Sequence, residues 1–428
     1  MKFIPAIVFI ASVSAFQARA QQVLTLENAK QMALEKNNQL KIARLNVDAA
    51  KVLKEGSKVS AYPGIGAGVT GFYLGKPLNA ILPEYGAAAT LGVNQAIYNG
   101  GRIRLGQDAA QKELEIQQAQ EILSSSEVLL NVVRSYWTVA KLKEKLSLAI
   151  KYKSVLEAFL SDLNNSLQAG TVYKNDVLRV QVQLNTADLG VIRAKDDLTI
   201  AKLSFAQLIG SVDGISFDIS DSVGGIELTE RKNLLSAGDN RPEILLLNKA
   251  LEQQRLQAKI IQADLKPTIG LSANGFSGLG GKGINPNDAN NHYLNTYYGL
   301  LSFSIPIWDW GATKEKVKAQ NFRISAQQVQ LEDTRQLISL EVQHDYLQLN
   351  ESYQRIGLST ISVAQAEENL KLNKDRFAAG TILSKDLLEA ENLWDQAKSD
   401  LIDAKVAYKI NEAIFQKAIG EIKQTQGN

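Results

Sequence analysis

The sequence predicts a mostly α-helical chain with a membrane β-barrel contribution: long helical hairpins in tandem duplicate, plus four short β-strands. Three observations carry that reading. Residues 102–168 form a run of 67 without a proline, and as one helix they would reach about 100 Å at ~1.5 Å per residue. The next proline-free run, 177–209, carries Val180, Leu184, Ala187, Val191, Ala194, Leu198, Ala201, Phe205 and Leu208 at alternating spacings of four and three. Such a heptad series is what a helix needs to pack lengthwise on another helix. Ala169-Gly170-Thr171 sits between the runs, so the long helix folds back on itself. The third observation is that this arrangement occurs twice.

A shift of 210 residues lays Ala169-Gly170-Thr171 on Ala379-Gly380-Thr381, Ile209-Gly210 on Ile419-Gly420, Tyr136 on Tyr346 and Asp176 on Asp386. The same shift lays Ile97-Tyr98-Asn99-Gly100-Gly101 on Ile307-Trp308-Asp309-Trp310-Gly311. Upstream the shift is 204, matching Pro63 to Pro267 and Asn37-Asn38-Gln39-Leu40 to Arg241-Pro242-Glu243-Ile244. The six-residue difference is an insertion in the Gly-rich part of the second copy. The chain therefore divides into a first repeat, 21–240, and a second, 241–428.

Taken in order, residues 1–20 have the make-up of a secretory signal peptide: Lys2, an apolar segment at 6–16, and Ala18-Arg19-Ala20 as an A-x-A cleavage site. The apolar run is too short for a transmembrane helix. Removing Lys2 and Arg19 leaves 47 − 2 = 45 bases against 45 acids, a neutral balance that argues against a nucleic-acid partner. There is no cysteine, which excludes disulfides, thiolate metal sites, a cysteine nucleophile and a lipidated cysteine anchor. A helix capped by Thr25 or Asn28 runs to about Val59, and Pro63 ends it.

From 64 to 97 the texture changes to a β-hairpin. Ile65, Ala67, Val69, Gly71 and Tyr73 alternate with Gly66, Gly68, Thr70 and Phe72; after a turn, Ala87, Ala89, Leu91 and Val93 alternate with Ala88, Thr90, Gly92 and Asn94. Small residues on one face and weak apolarity on the other suit a strand between lipid and water, and about ten tilted residues cross a bilayer. Tyr62, Tyr73, Tyr85 and Tyr98 stand near the strand ends as an aromatic girdle. The competing reading is a soluble hairpin lying on the helices. The second hairpin, at about 268–307, brings Leu301, Phe303 and Ile305 alternating with Leu300, Ser302 and Ser304. Its loop, 278–292, has the glycine count of a phosphate loop but neither its order nor a following helix. Residues 211–240 read as a linking segment beside the rod. The second copy's long helix is expected at 311–377 and its return helix at 383–419, with Ala390, Trp394, Ala397, Leu401, Ala404 and Tyr408 at heptad positions and a short tail after them.

Four strands cannot close a barrel, and lipid tolerates no open strand edge. Closure then takes several chains: two give a filled interior, three or four an open lumen. At this point the duplicated pattern resembles the outer-membrane efflux protein (TolC-like) family over essentially all of the chain after the signal segment. The features that carry it are the Asn38-Gln39-Leu40 and Arg241-Pro242-Glu243-Ile244 openings, the two hairpins, Tyr98-Asn99-Gly100-Gly101 and Trp308-Asp309-Trp310-Gly311, and the two Ala-Gly-Thr turns. The resemblance implies a homotrimer with a 12-stranded barrel over an α-helical periplasmic tunnel. It implies the exit duct of a tripartite efflux or type I secretion system in the outer membrane, docked through a periplasmic adaptor to an inner-membrane pump.

Candidate site residues follow. Gly170, Thr171, Gly380 and Thr381 close the helical hairpins; they are glycine C-caps, and the resemblance makes them the adaptor-docking tip. Asp386 and Glu389 lie three apart on one helix face and are a candidate periplasmic gate. The competing reading is that acids in a helix's first turn favour its dipole. That reading suits Asp176, the copy of Asp386, whereas the copy of Glu389 is Arg179. His292 and His344 lie far apart in sequence, so no catalytic triad, metal site or cofactor is expected. The alternative functions are a periplasm-spanning coiled-coil tether without channel activity and, less well supported, a periplasmic enzyme on a helical scaffold.

Overall fold

The computed structural model describes residues 22–77, 84–211, 217–221, 241–281 and 292–421. The signal segment, most of the linker and most of the second hairpin's loop fall outside them. In chain order the elements are β1 (Gln22–Leu24), α1 (Leu26–Lys36), α2 (Asn38–Val59), β2 (Gly64–Tyr73), β3 (Tyr85–Asn99), α3 (Arg102–Gln168), α4 (Lys174–Leu208) and β4 (Phe217–Ile219). The second copy supplies α5 (Pro242–Gln262), a 3-10 turn (Ala263–Leu265), β5 (Thr268–Gly280), β6 (Tyr293–Ser304), α6 (Ala312–Ala378) and α7 (Ser384–Ala418). No helix among the described residues is long and apolar enough to cross a membrane.

The chain forms two compact units, and neither follows the repeats. One takes the described residues of Met1–Asn37, Val128–Glu230 and Gln348–Ala413; the other takes those of Asn38–Glu127, Arg231–Leu347 and Ile414–Asn428. Each unit thus draws on both copies.

In the first unit, Thr25 settles the cap left open above: its Oγ1 accepts from the Asn28 N–H at 3.2 Å. The helix that the sequence runs unbroken to Val59 stops at Lys36. Asn37 turns extended (φ −62°, ψ 131°) and restarts it as α2. The cause is a long-range bond, since buried Asn37 donates from Nδ2 to the Leu208 carbonyl, 2.8 Å away at the end of α4. Gly210 then turns away at φ +65°, and a Cβ there would lie 2.6 Å from Lys36 Cβ and 2.9 Å from its carbonyl oxygen. β1 and β4 pair in parallel, Leu24 opposite Ile219. Beneath them Tyr136 is fully buried and its hydroxyl donates to Asp221 Oδ2 at 2.9 Å. Burial, with Asp221 adding to it, pushes the Tyr136 hydroxyl up to about 12. The ring meets Phe205 edge to face at 5.9 Å.

In the second unit, Arg241 is the structural copy of Asn37, again a buried polar residue opening a helix. It caps α5 ahead of Pro242 and bonds Glu243 Oε1 and Glu341 Oε2, both at 2.5 Å. A charge network ties α3 to α5: Glu115 accepts from Gln111 (2.9 Å), Lys112 (2.9 Å) and Lys249 (3.0 Å). Burial pushes this carboxyl up, but the three donors and the Lys112 charge outweigh it and hold it at about 2. The four main strands form one antiparallel sheet in the order β2-β3-β5-β6.

Two outcomes are expected. Gly210→Ala combines a left-handed backbone with overlap on Lys36, and should destabilise by roughly 2–5 kcal/mol in thermal unfolding followed by helical circular dichroism. Glu115 has a folded pKa below its usual 4.5, so its contribution is complete above pH ~4.5 and is lost as pH falls towards ~2. Glu115→Gln should therefore lower stability by roughly 1–3 kcal/mol at pH 7 and flatten the loss between those limits, read from melting temperatures across the acid range.

Candidate functional site

The sheet of the second unit is one candidate site. Residues directly opposite in an antiparallel ladder share a face, and neighbours along a strand alternate. The register therefore sorts the side chains. Ala67, Leu91, Gly275 and Tyr297 form one row, and Ile65, Val93, Ala273 and Gly299 the next. Val69, Leu271, Leu301 and Phe303 fall on that same face. The other face carries Gly68, Thr90, Phe276 and Thr296 in one row and Gly66, Gly92, Asn274 and Tyr298 in another. One face is thus mainly aliphatic, interrupted by Gln95, Ser277 and Asn295, and the other is mainly small and polar, with Phe276, Tyr298, Leu294 and Leu300 among its Gly, Thr, Ser and Asn residues. That is the division expected between lipid and an aqueous interior. Tyr73 and Tyr85 pair at one end of the sheet. Within the described residues, β2 and β6 each have one neighbour, so both outer edges of the sheet carry unpaired backbone groups.

The joining of the two hairpins through β3 and β5 is not visible in the sequence. It runs from Gly86–Gly280 to Asn99–Thr268, with a bulge between Ala96 and Tyr98.

A second, separate candidate site lies in the first unit, where α3 turns into α4 and α6 into α7. Both turns are the same six-residue closure. The Thr171 N–H reaches the Ser166 carbonyl at 2.9 Å and Gly170 that of Leu167 at 3.0 Å; Thr381 reaches Arg376 and Gly380 reaches Phe377, both at 3.0 Å. Gly170 and Gly380 sit at φ +77° and +69°, the left-handed cap that glycine favours. Each threonine hydroxyl adds a second bond to the same carbonyl, 3.0 Å in both copies. Phe159, Leu163, Val180, Leu370, Leu387, Ala390 and Trp394 form the core behind the turns.

Asp386 is a cap. Its Oδ2 accepts from the Leu383 N–H at 3.1 Å, as Asp176 Oδ2 does from Tyr173 at 3.3 Å. The Ser384 hydroxyl then donates to the other Asp176 oxygen at 2.5 Å, linking the first turns of α4 and α7. Glu389 and its copy Arg179 are both exposed. His292 and His344 meet separate partners, the Gly280 carbonyl and Asp345, each at 3.0 Å.

Nearby lies a polar layer that the sequence does not show, buried at Glu391 and Tyr152 and open to solvent at Asn392. Glu391 is only 2% exposed; one oxygen takes Lys374 Nζ at 2.8 Å and the other has no partner. Tyr152 Oη, Asn392 Oδ1 and Gln183 Nε2 form a triangle with sides of 2.5, 3.0 and 3.1 Å. Burial, then the Glu391 charge, raise the Asp395 carboxyl. On the outside of α4, Leu178, Val182, Leu189, Ile192 and Leu203 remain exposed, a second apolar stripe beside the buried heptad series.

Asp395 generates a pH prediction. A carboxyl raised on folding costs stability once both states are ionised and nothing once both are protonated. Asp395→Asn should raise the melting temperature at pH 7 and leave it unchanged near pH 3; equal gains at both would refute the burial account.

The model of the family described as "Outer membrane efflux protein" matches residues 29–211 and 234–421. The chain is 23% identical to outer membrane protein TolC of Escherichia coli (strain K12) over 433 residues, 99% of this chain and 87% of that one. It is 24% identical over 294 residues to the alkaline protease secretion protein AprF of Pseudomonas aeruginosa, 66% of this chain and 59% of the relative. The fold is similar to the crystal structure of the Campylobacter jejuni CmeC outer membrane channel, with a TM-score of 0.78 at 17% identity, covering 94% of this chain and 87% of that one.

Proposed function

The chain belongs to the outer membrane efflux protein family, and we propose that three copies of it close into a 12-stranded barrel that continues as an α-helical tunnel. It is an outer-membrane exit duct for efflux or type I secretion, with its helical part in the periplasm. The observation that carries the assembly is the four-stranded sheet with one aliphatic face, one small polar face and two unpaired edges. Such a sheet is stable in lipid only when its edges are paired, and a lumen needs more than eight strands. Three chains supply twelve, leaving the Gly, Thr, Ser and Asn face towards the passage. The exposed stripe of α4 is the surface a neighbouring copy covers.

The duct is passive and not an enzyme: cargo moves by work done at a pump in the inner membrane. The turns at Gly170, Thr171, Gly380 and Thr381 are the surface that meets the periplasmic adaptor. Their doubly bonded threonines support this reading, because a docking tip must hold its shape when unliganded. Asp386 and Glu389 form the periplasmic gate. Asp386 acts mainly by ordering the first turn of α7, and Glu389, exposed and unmatched in the first copy, supplies the charge that attracts cations.

Single-channel conductance of the folded protein in a planar bilayer tests the proposal. A small cation-selective conductance is expected, blocked by divalent cations added from the tip side. Asp386→Ala with Glu389→Ala should raise it and relieve the block. Unchanged conductance and block in that variant would remove the gate; no conductance in either protein would favour the tether.

A further inference from the structure

The two hairpins share one register, so their polar faces can be compared position by position. In the first copy Thr70 stands opposite Ala88, with Thr90 next along β3 on that face. Shifts of 204 and 210 turn these into Asn274, Tyr298 and Leu300, and Asn274 again stands opposite Tyr298. Three small side chains have become an amide, a phenol and a leucine. Phe276, two residues along β5 from Asn274, shares their face. Its counterpart Phe72 lies over Gly86, where an added Cβ would meet the ring at 2.6 Å. The counterpart of Gly86 is Thr296, whose Cβ denies Phe276 the same seat.

Asn274 is the middle of the resulting patch. A Cβ on Gly92, its neighbour across β3, would lie 2.6 Å from Asn274 Oδ1 and 4.0 Å from Asn94 Nδ2, so both amides stand over a glycine floor. Tyr298 borders Asn274 on β6, and Leu300 follows on the same face. Tyr298 is 48% exposed and Leu300 54%. The side chains of Asn94, Asn274 and Tyr298 make no hydrogen bond to another described residue, so two amides and a phenol keep their donors and acceptors open. No residue of β2, β3, β5 or β6 is charged. Rings beside an uncharged amide pair suit a flat ring with polar groups at its edge, and favour neither anions nor cations.

We propose that this patch is a cargo-contact site on the wall of the passage, one per chain, for uncharged planar heteroaromatic molecules. Phe276 and Tyr298 meet the ring, and the amides of Asn94 and Asn274 meet its polar edge. The contact is weak and short-lived, since a site in a duct must release what it holds. The first copy's wall, small at the matching positions, lacks it. The inference rests on the reading of the polar face as the wall of the passage, and it names the class of cargo that this face favours.

The probe is caffeine, a neutral, planar, water-soluble heteroaromatic, with glucose as the non-planar control. Full-length protein folded into lipid nanodiscs is measured by saturation-transfer difference NMR against protein-free nanodiscs, and its conductance is recorded in a planar bilayer. Caffeine should give a signal above the blank and glucose none. Asn274→Thr/Tyr298→Ala/Leu300→Thr, which restores the first copy's residues, should lower the caffeine signal about fivefold, the loss of one aromatic contact. Tyr297→Ala, on the other face, should leave it unchanged. If the triple variant does not assemble, Tyr298→Ala alone decides by the same comparison. A wild-type signal no higher than the blank, equal signals from caffeine and glucose, or an undiminished signal without the Tyr298 ring would overturn the site, while retained conductance would leave the duct standing. Loss of the signal in Tyr297→Ala instead would put the binding on the opposite face and overturn the site. No conductance in the wild type would overturn the duct itself.

Discussion

The unpaired backbone along β2 and β6 is the constraint on which the rest depends. A strand edge in water is satisfied by solvent; in lipid nothing satisfies it, and each orphaned amide or carbonyl costs several kcal/mol, on the order of the stability of a whole domain when summed over an edge. One chain supplies four strands and two edges. In the proposed assembly further copies meet those edges, and their meeting creates the interior that the polar face lines. On that proposal, oligomerisation and passage are one requirement.

Duplication supplies the even strand count cheaply, and divergence between the copies then distributes roles. Asn37 and Arg241 open equivalent helices and are both buried, yet one binds a helix C-terminus and the other two carboxylates. Asp176 and Asp386 are both caps, but the Ser384 hydroxyl adds a second bond to Asp176. Gly100 and Trp310 occupy one turn with opposite preferences for that backbone. Where the copies agree, as at the two Gly-Thr closures, the backbone requirement is the same; where they differ, the surroundings are different.

The long helices were legible because nothing interrupts them: α3 covers the proline-free run Arg102–Gln168. Heptad spacing identified the buried face of α4 through Val180, Leu184, Ala187 and Phe205, although the helix starts earlier, at Lys174, once Asp176 is counted as its cap. Alternation gave both faces of the hairpins. What stayed hidden depends on partners far along the chain. The break at Asn37 is caused by Leu208, and the union of the hairpins is a pairing of β3 with β5. The three-residue β1 and β4 are too short to carry a pattern. At the tip the glycines and the first-turn acids were visible as types. Glu391, Tyr152, Asn392 and Gln183 were not, because polar residues on a helix read as solvent-facing until the neighbouring helix is in place.

Inter-chain cross-linking across the closing edges tests the central claim most directly, and a chain without cysteine makes it clean. Val69→Cys on β2 would be combined in turn with Asn295→Cys, Tyr297→Cys, Gly299→Cys and Leu301→Cys, sites on the same face of β6. Closure by three copies predicts that one register oxidises to a ladder of one, two and three chains and stops there. A ladder that continues past three, or only monomer at every register in a folded preparation, would contradict it.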